Sequence, residues 1–336
     1  MKLKLPLFVL LLCRLGASAQ QLPQYTQYTF NELLINPAVT GVESYWDIKS
    51  GFRSQWTGLQ GAPQTTYLTL SVPLGKTFTE NDYSQMIRNT DNPIGRNDAL
   101  SYSASADHHG VGLSLVSDKT GQIRQTHIDA TYAYHLKLND VTNFSAGASF
   151  GINSINLNTS QITLVNPLDP AIYGGNSNQI QPEAALGVWL YSARYFIGAS
   201  AQQLLPSTIS FNNVSVLNQG KTYAQYFFTA GYKLFVSDDV TALPSVVFKP
   251  FDKGPLSFDA NIKFAFKDVF WVGGSYRKDD AASASFGFNL GGYMSLGYSY
   301  DYTTSPLNNV SNGTHEIMLG LFLKNNYNVT SPRHTW

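Results

Sequence analysis

The chain has 336 residues, with 22 basic and 22 acidic side chains, 20 Tyr, 20 Phe, 27 Gly and one Cys. Charged residues make up 13% of it, about half of ordinary soluble usage. No basic patch of the kind nucleic acid demands is present, so nucleic acid is excluded as a partner.

The first residues predict an export signal. Lys2 and Lys4 precede the apolar run Leu5–Leu12, and Ala17-Ser18-Ala19 supplies small residues for cleavage after Ala19. The run is too short to cross a bilayer as a helix. Cys13 invites a lipoprotein reading, but Leu12 before it is not the small residue that lipidation requires. Cleavage removes Lys2, Lys4, Arg14 and Cys13, leaving a slightly acidic mature chain without disulfides or thiolate metal sites. Next comes Gln20–Val42, whose only charge is Glu32 and which carries Tyr25, Tyr28, Phe30, Leu33, Leu34 and Ile35. Such a segment should not float free in water. It is expected to enter a lumen or cap a periplasmic mouth, which makes residues 20–45 a plug.

From Trp46 to Lys324 the pattern alternates with period two. Fourteen strands are predicted, including Gln122–Leu138, Glu183–Ser192, Tyr223–Val236, Leu256–Phe266, Tyr293–Tyr302 and Gly313–Lys324. In the thirteenth, Leu296, Tyr298, Tyr300 and Tyr302 oppose Ser295, Gly297, Ser299, Asp301 and Thr303. Many strands approach ten residues, the length that crosses a bilayer when tilted. The fold class expected is therefore all-β, a transmembrane antiparallel barrel of about 14 strands spanning residues 46–325, with a C-terminal tail over 326–336. A large secreted β-sandwich is the alternative. With the N-terminus in the periplasm, the tight turns at Asn139–Thr142, Ala193-Arg194, Ser237–Asp239, Lys267-Asp268 and Gly291-Gly292 all fall on one side. The long links Asn158–Pro182, Leu205–Thr222 and Thr303–Asn312 fall on the other, as outer-membrane barrels require. The link over residues 75–107 breaks this rule. It reads as a periplasmic excursion with a short helix over Asn81–Arg88 or as a disordered insertion, its Asn, Asp and Ser content favouring the latter.

Catalytic motifs are weak. Gly147-Ala148-Ser149-Phe150-Gly151 matches a nucleophile elbow, which needs a strand–turn–helix context, but it sits within an alternating strand. Adjacent His108 and His109 point opposite ways on a strand. His127 and His135 share a face but lie about 26 Å apart, too far for one ion. Asp238-Asp239 and Asp279-Asp280 read as turns. No phosphate loop, dinucleotide fingerprint or EF-hand appears, so no catalytic, cofactor-binding or metal site is expected. Trp56, Trp189 and Trp271 read as interfacial aromatics or lumen packing.

Several blocks together resemble one family. They are Gln27-Tyr28-Thr29-Phe30-Asn31 with Ile35-Asn36-Pro37-Ala38, Arg53-Ser54-Gln55-Trp56-Thr57-Gly58, Asp118-Lys119-Thr120-Gly121, Trp271 through Arg277, Gly297-Tyr298-Ser299-Tyr300-Asp301 and His315-Glu316-Ile317. From about Gln20 to Lys324 the chain is similar to the PorP/SprF family, outer-membrane proteins of the Bacteroidota type IX secretion and gliding system. The resemblance implies a non-enzymatic barrel in the bacterial outer membrane, in contact with lipid and with secretion components. It would act as an accessory or anchor that helps export or surface attachment of a large partner adhesin. A passive or hydrophobic-solute channel is the alternative, and a membrane-embedded hydrolase using Ser149 the third. Arg53, Trp56, Asp118, Trp271, Arg277 and Asp301 are the motif residues to follow. Lumen structure is the first expectation for Arg53, Trp56 and Arg277, ahead of client binding.

Overall fold

The computed structural model describes residues 26–75, 95–96, 99, 102–159, 178–209, 220–250, 257–267 and 269–325. The signal, the helix expected over Asn81–Arg88, most of the two longest outer links and the tail from 326 lie outside the described residues. The wall strands in chain order are β1 (Trp46–Ser54), β2 (Gln64–Leu74), β3 (His108–Thr120), β4 (Ile123–Asn139), β5 (Thr142–Leu157), β6 (Asn178–Tyr191) and β7 (Tyr195–Gln202). A short outer hairpin, β8 (Thr208–Ile209) with β9 (Gly220–Lys221), interrupts them. The wall resumes with β10 (Gln225–Tyr232), continued by β11 (Leu234–Phe235), then β12 (Val240–Lys249), β13 (Ser257–Phe266), β14 (Phe270–Arg277), β15 (Ala281–Leu290), β16 (Met294–Thr303) and β17 (Thr314–Leu323).

Each strand pairs antiparallel with its chain neighbour, β10 with β12 across the β11 step, and β1 with β17. The sheet closes, so no edge is left unpaired, the condition for crossing a hydrocarbon layer with strands. Counting β10 and β11 as one, the barrel has the fourteen strands expected. Among the described residues no helix is long and apolar enough to cross a membrane.

The period-two reading fixes the faces. In β16, Ser295, Ser299, Asp301 and Thr303 are buried in the lumen, while Leu296 and Tyr302 are exposed on the outer surface. In β4, Ile128, Tyr132 and Leu138 face out and His127, Thr131, Ala133 and His135 face in. Phe52, Leu68, Leu113, Phe150, Ile197, Phe228, Ile262 and Phe286 continue an apolar outer surface around the wall. An exposed band of this extent requires lipid against it.

Two boundaries differ from the sequence expectation. β6 begins at Asn178 rather than Glu183, and Pro182 lies within it, opposite Ile152. β7 pairs with β6 only from Leu186, so Pro182 sits where β6 has a single neighbour and its missing N–H disrupts no ladder. The eighth wall strand breaks at Lys233, which is buried and whose N–H donates to the Arg194 carbonyl. The wall is also uneven. β3 to β6 run 13, 17, 16 and 14 residues, while the remaining wall strands, apart from the two-residue β11 step, run 8 to 11. About ten suffice to cross. Exposed Arg124, on the outward parity of β4, stands near the outer end of this longer set of strands.

Candidate functional site in the barrel lumen

The first site is the N-terminal segment itself, residues 26–45, nearly all of it buried inside the wall. It holds two single 3-10 turns, Glu32–Leu34 and Pro37–Val39; Pro37 opens the second, where the Asn36 side chain accepts from the Ala38 N–H at 3.0 Å. A path with so little regular structure leaves backbone groups without partners of its own. The lumen wall supplies them. Ser145 donates to the Ala38 carbonyl at 2.7 Å, Ser200 to Ile35 and Gln202 to Leu34. His135 donates through Nε2 to the Thr40 carbonyl at 2.8 Å and His108 to that of Gly41 at 3.0 Å, their rings stacked 4.4 Å apart. The Gly41 N–H donates to Ser71 Oγ at 2.7 Å and Asn36 Nδ2 to the Val188 carbonyl at 3.1 Å. Small residues make room for the segment. A Cβ on Gly147 would lie 2.6 Å from Ala38 Cα, and one on Gly110 2.0 Å from the Thr40 oxygen. Ala38, Val39 and Val42 pack with Trp189, Tyr191, Phe196 and Leu243, while Tyr28 and Ile35 pack with Phe227 and Val247.

The segment runs through the lumen rather than resting at its mouth. Gly41 meets the periplasmic start of β3, whereas Thr26 meets the outer ends of β1, β16 and β17. There the Thr26 N–H donates to Glu316 Oε2 at 3.2 Å and its hydroxyl to Asp301 Oδ2 at 2.6 Å. Arg53 donates to Glu316 at 2.9 Å, to Asp301 at 2.8 Å and to the Thr26 hydroxyl. A second cluster adjoins it. Arg277 contacts Asp259 at 3.2 Å and Asp280 at 2.9 Å and comes within 4.0 Å of Asp301, and Lys249 contacts Asp259 at 2.8 Å. Three cations thus face four carboxylates, mostly buried, where removing one partner leaves a charge without compensation.

The structure therefore brings together three of the singled-out motif residues, Arg53, Arg277 and Asp301. The other three lie elsewhere. Trp56 lies two residues beyond the end of β1 at a φ of 48°, with its N–H donating to Thr314 Oγ1 at 3.1 Å. Asp118 accepts from the hydroxyls of Thr65 and Thr120 near the outer end of β3. Trp271 is buried against Ala265, Met318 and Phe30. Its ring lies over Gly287, where a Cβ would come within 2.4 Å. This packing explains why β17 is apolar on both faces, since Met318 and Phe322 point into the lumen. Their partners are Thr26, Lys249, Asp259, Asp280 and Glu316; the sequence had offered Asp280 only as a turn residue and Glu316 only within a family block. The available signal was a charge on the inward parity of a charge-poor strand. Ser149 lies mid-strand on the lumen parity of β5, opposite Thr131, and not at a strand-to-helix turn.

Glu32 stands apart in the segment. Among the described residues neither oxygen of its carboxyl has a hydrogen-bond partner. It lines a small cavity with Asn31, Glu43, Asp47 and Lys49. Burial pushes this carboxyl up to about 8, with Lys49 and Lys263 pulling down and Glu43 adding to the rise. Among the described residues, no group of three or more His, Cys, Asp and Glu side chains is arranged to hold a metal ion.

A family model described as type IX secretion system membrane protein PorP/SprF matches residues 17–321. Comparison with curated proteins gave no match. Among solved structures, the Ralstonia pickettii toluene transporter TbuX aligns at 11% identity and a TM-score of 0.48, over 87% of this chain and 92% of that one. The CymD monoaromatic hydrocarbon channel aligns at 10% identity and 0.49, over 89% and 92%. The Pseudomonas putida toluene transporter TodX aligns at 11% and 0.45, over 86% and 91%. Likenesses at this level carry no argument about cargo.

Proposed function

Because the chain belongs to the PorP/SprF family of type IX secretion membrane proteins, we propose that this outer-membrane barrel is a non-enzymatic accessory that anchors a large exported client. The observation that carries this reading is the hydrogen-bonded passage of residues 26–45 through the lumen, from the Gly41 contacts at the periplasmic end to the Thr26 contacts at the outer end. A conduit needs a free path, whereas a platform needs a stiff wall and two presenting faces. The segment stiffens the wall by tying β2 to β7 and β12 to β16 and β17. The periplasmic link over residues 75–107 would meet components of the apparatus, and the outer links would meet the client.

The experiment is a pull-down of the tagged barrel from native outer membranes, paired with planar-bilayer conductance of the purified protein. Co-purification of one large exported protein with secretion components, and little steady current, is the expected result. A large steady current together with normal surface display in a deletion strain would replace the anchor with a passive or hydrophobic-solute channel.

A further inference from the structure

Above the N-terminal segment, on the side of the lumen away from Arg53, lies a cavity of about 80 Å³. It is lined by Leu33, Leu34 and Ile35 of the segment and by Gln202, Gln203 and Lys249 from the outer ends of β7 and β12. One wall is built by a row across three strands. Asp129 on β4 and Glu183 on β6 flank Gly151 on β5 in register, with their Cα atoms about 10 Å apart at two strand spacings. Glycine between them leaves a notch. A Cβ there would lie 2.3 Å from Asp129 Oδ1, so the carboxyl leans over the glycine. His127, one place along the same face of β4, shares its Nδ1 proton with Glu183 Oε2 at 2.6 Å. Its Nε2 is buried and has no partner. No cation is paired with Asp129 among the described residues, and the nearby Lys249 is held by Asp259.

We propose that this cavity binds an aliphatic primary ammonium. The chemistry of the row selects it. Two carboxyl groups from different strands that flank one glycine offer a cation a seat between them. In the neutral form, a ring that gives its Nδ1 proton to Glu183 presents Nε2 as an acceptor. Asp129, the second oxygen of Glu183 and His127 Nε2 thus offer three acceptors, matching the three N–H donors of an ammonium. Leu33, Leu34 and Val116 provide an apolar lining for a methylene stem. The volume is roughly half that of a cavity known to take benzene, which suits an unbranched stem rather than a ring. The ligand is a free alkylamine or the side chain of a peptidyl lysine, both of which present this group.

Calorimetric titration of the purified full-length barrel in detergent tests the proposal, with n-butylammonium, 1-butanol and butyrate as probes. Binding of butylammonium at least tenfold tighter than the other two is expected, and equal binding of all three overturns the site. Asp129→Asn should weaken butylammonium at least tenfold without changing the thermal unfolding of the barrel; unchanged binding overturns it. Selectivity among the three probes on the unaltered protein keeps the test independent of how the variant folds. A peptide with one internal lysine and both termini blocked separates the sources. Its binding assigns the site to peptidyl lysine, and its failure where butylammonium binds assigns it to free amines. Because these are binding readouts, they fail or succeed independently of the anchoring role.

Discussion

Arg53 and Asp301 are 248 residues apart and form a 2.8 Å ion pair inside the lumen, with the Thr26 hydroxyl on the same carboxylate oxygen. The pair ties the first wall strand to the next-to-last across β17 and fixes the start of the described N-terminal segment to both. Arg53→Ala would leave Asp301 and Glu316 buried without their shared cation. Loss of a buried partner costs about 3–5 kcal/mol. The expected result is a lower unfolding temperature on heat-modifiability gels, together with new protease cleavage within residues 26–45. Arg53→Lys should recover only part of this, because a point-charge ammonium cannot reproduce the guanidinium fork.

Gly147 and Gly110 set a packing prediction. The atoms a new Cβ would meet are backbone, Ala38 Cα in one case and the Thr40 oxygen in the other, so no side chain can swing away. Overpacking of this kind costs about 1–3 kcal/mol. Gly147→Ala should loosen the N-terminal segment while the outer wall still forms. Faster hydrogen exchange at residues 36–42 with unchanged β-sheet circular dichroism is the expected signature.

The Glu32 carboxyl makes the seat of the segment pH-sensitive. Its folded value near 8 lies above the ordinary value of 4.5, so the folded state holds a proton that the released segment gives up. The stabilisation is complete below about pH 4.5 and declines as pH rises through 8. Groups facing it include Lys49, Asp47, Glu43 and Lys263, and the two lysines oppose the effect. Protease sensitivity of residues 26–45 should rise between pH 6 and pH 9. Glu32→Gln should abolish that rise, and a variant with the same pH profile as the parent would refute the assignment to this carboxyl.

Removal of residues 26–42 tests the lumen directly. The wall closes through β1–β17 and β10–β12 without help from the segment, so the truncated chain should still insert. It should then carry a steady current in a planar bilayer many times that of the full chain. Equal currents would show that the segment does not obstruct the pore.

Much of this architecture was legible in the sequence, for one physical reason. A strand has a two-residue period and a bilayer has a fixed thickness, so alternation at Tyr298, Tyr300 and Tyr302, strands of about ten residues and one-sided tight turns specify a closed wall and its two faces. The apolar character of residues 26–42 likewise marked a segment that water would not hold. Pro182 misled one boundary, because whether a strand tolerates a missing N–H depends on which neighbours it has at that height. Tertiary structure alone decided the pairings. Arg53, Asp301 and Glu316 each read as one inward charge, but only closure of β1 on β17 and β17 on β16 places them around Thr26. Asp129 and Glu183 likewise become neighbours only because Gly151 stands between them in register. The sequence alone determined which face each residue takes, since that follows from local backbone geometry. Which residues meet across the lumen depends on register and closure summed around fourteen strands, and no local pattern records that sum.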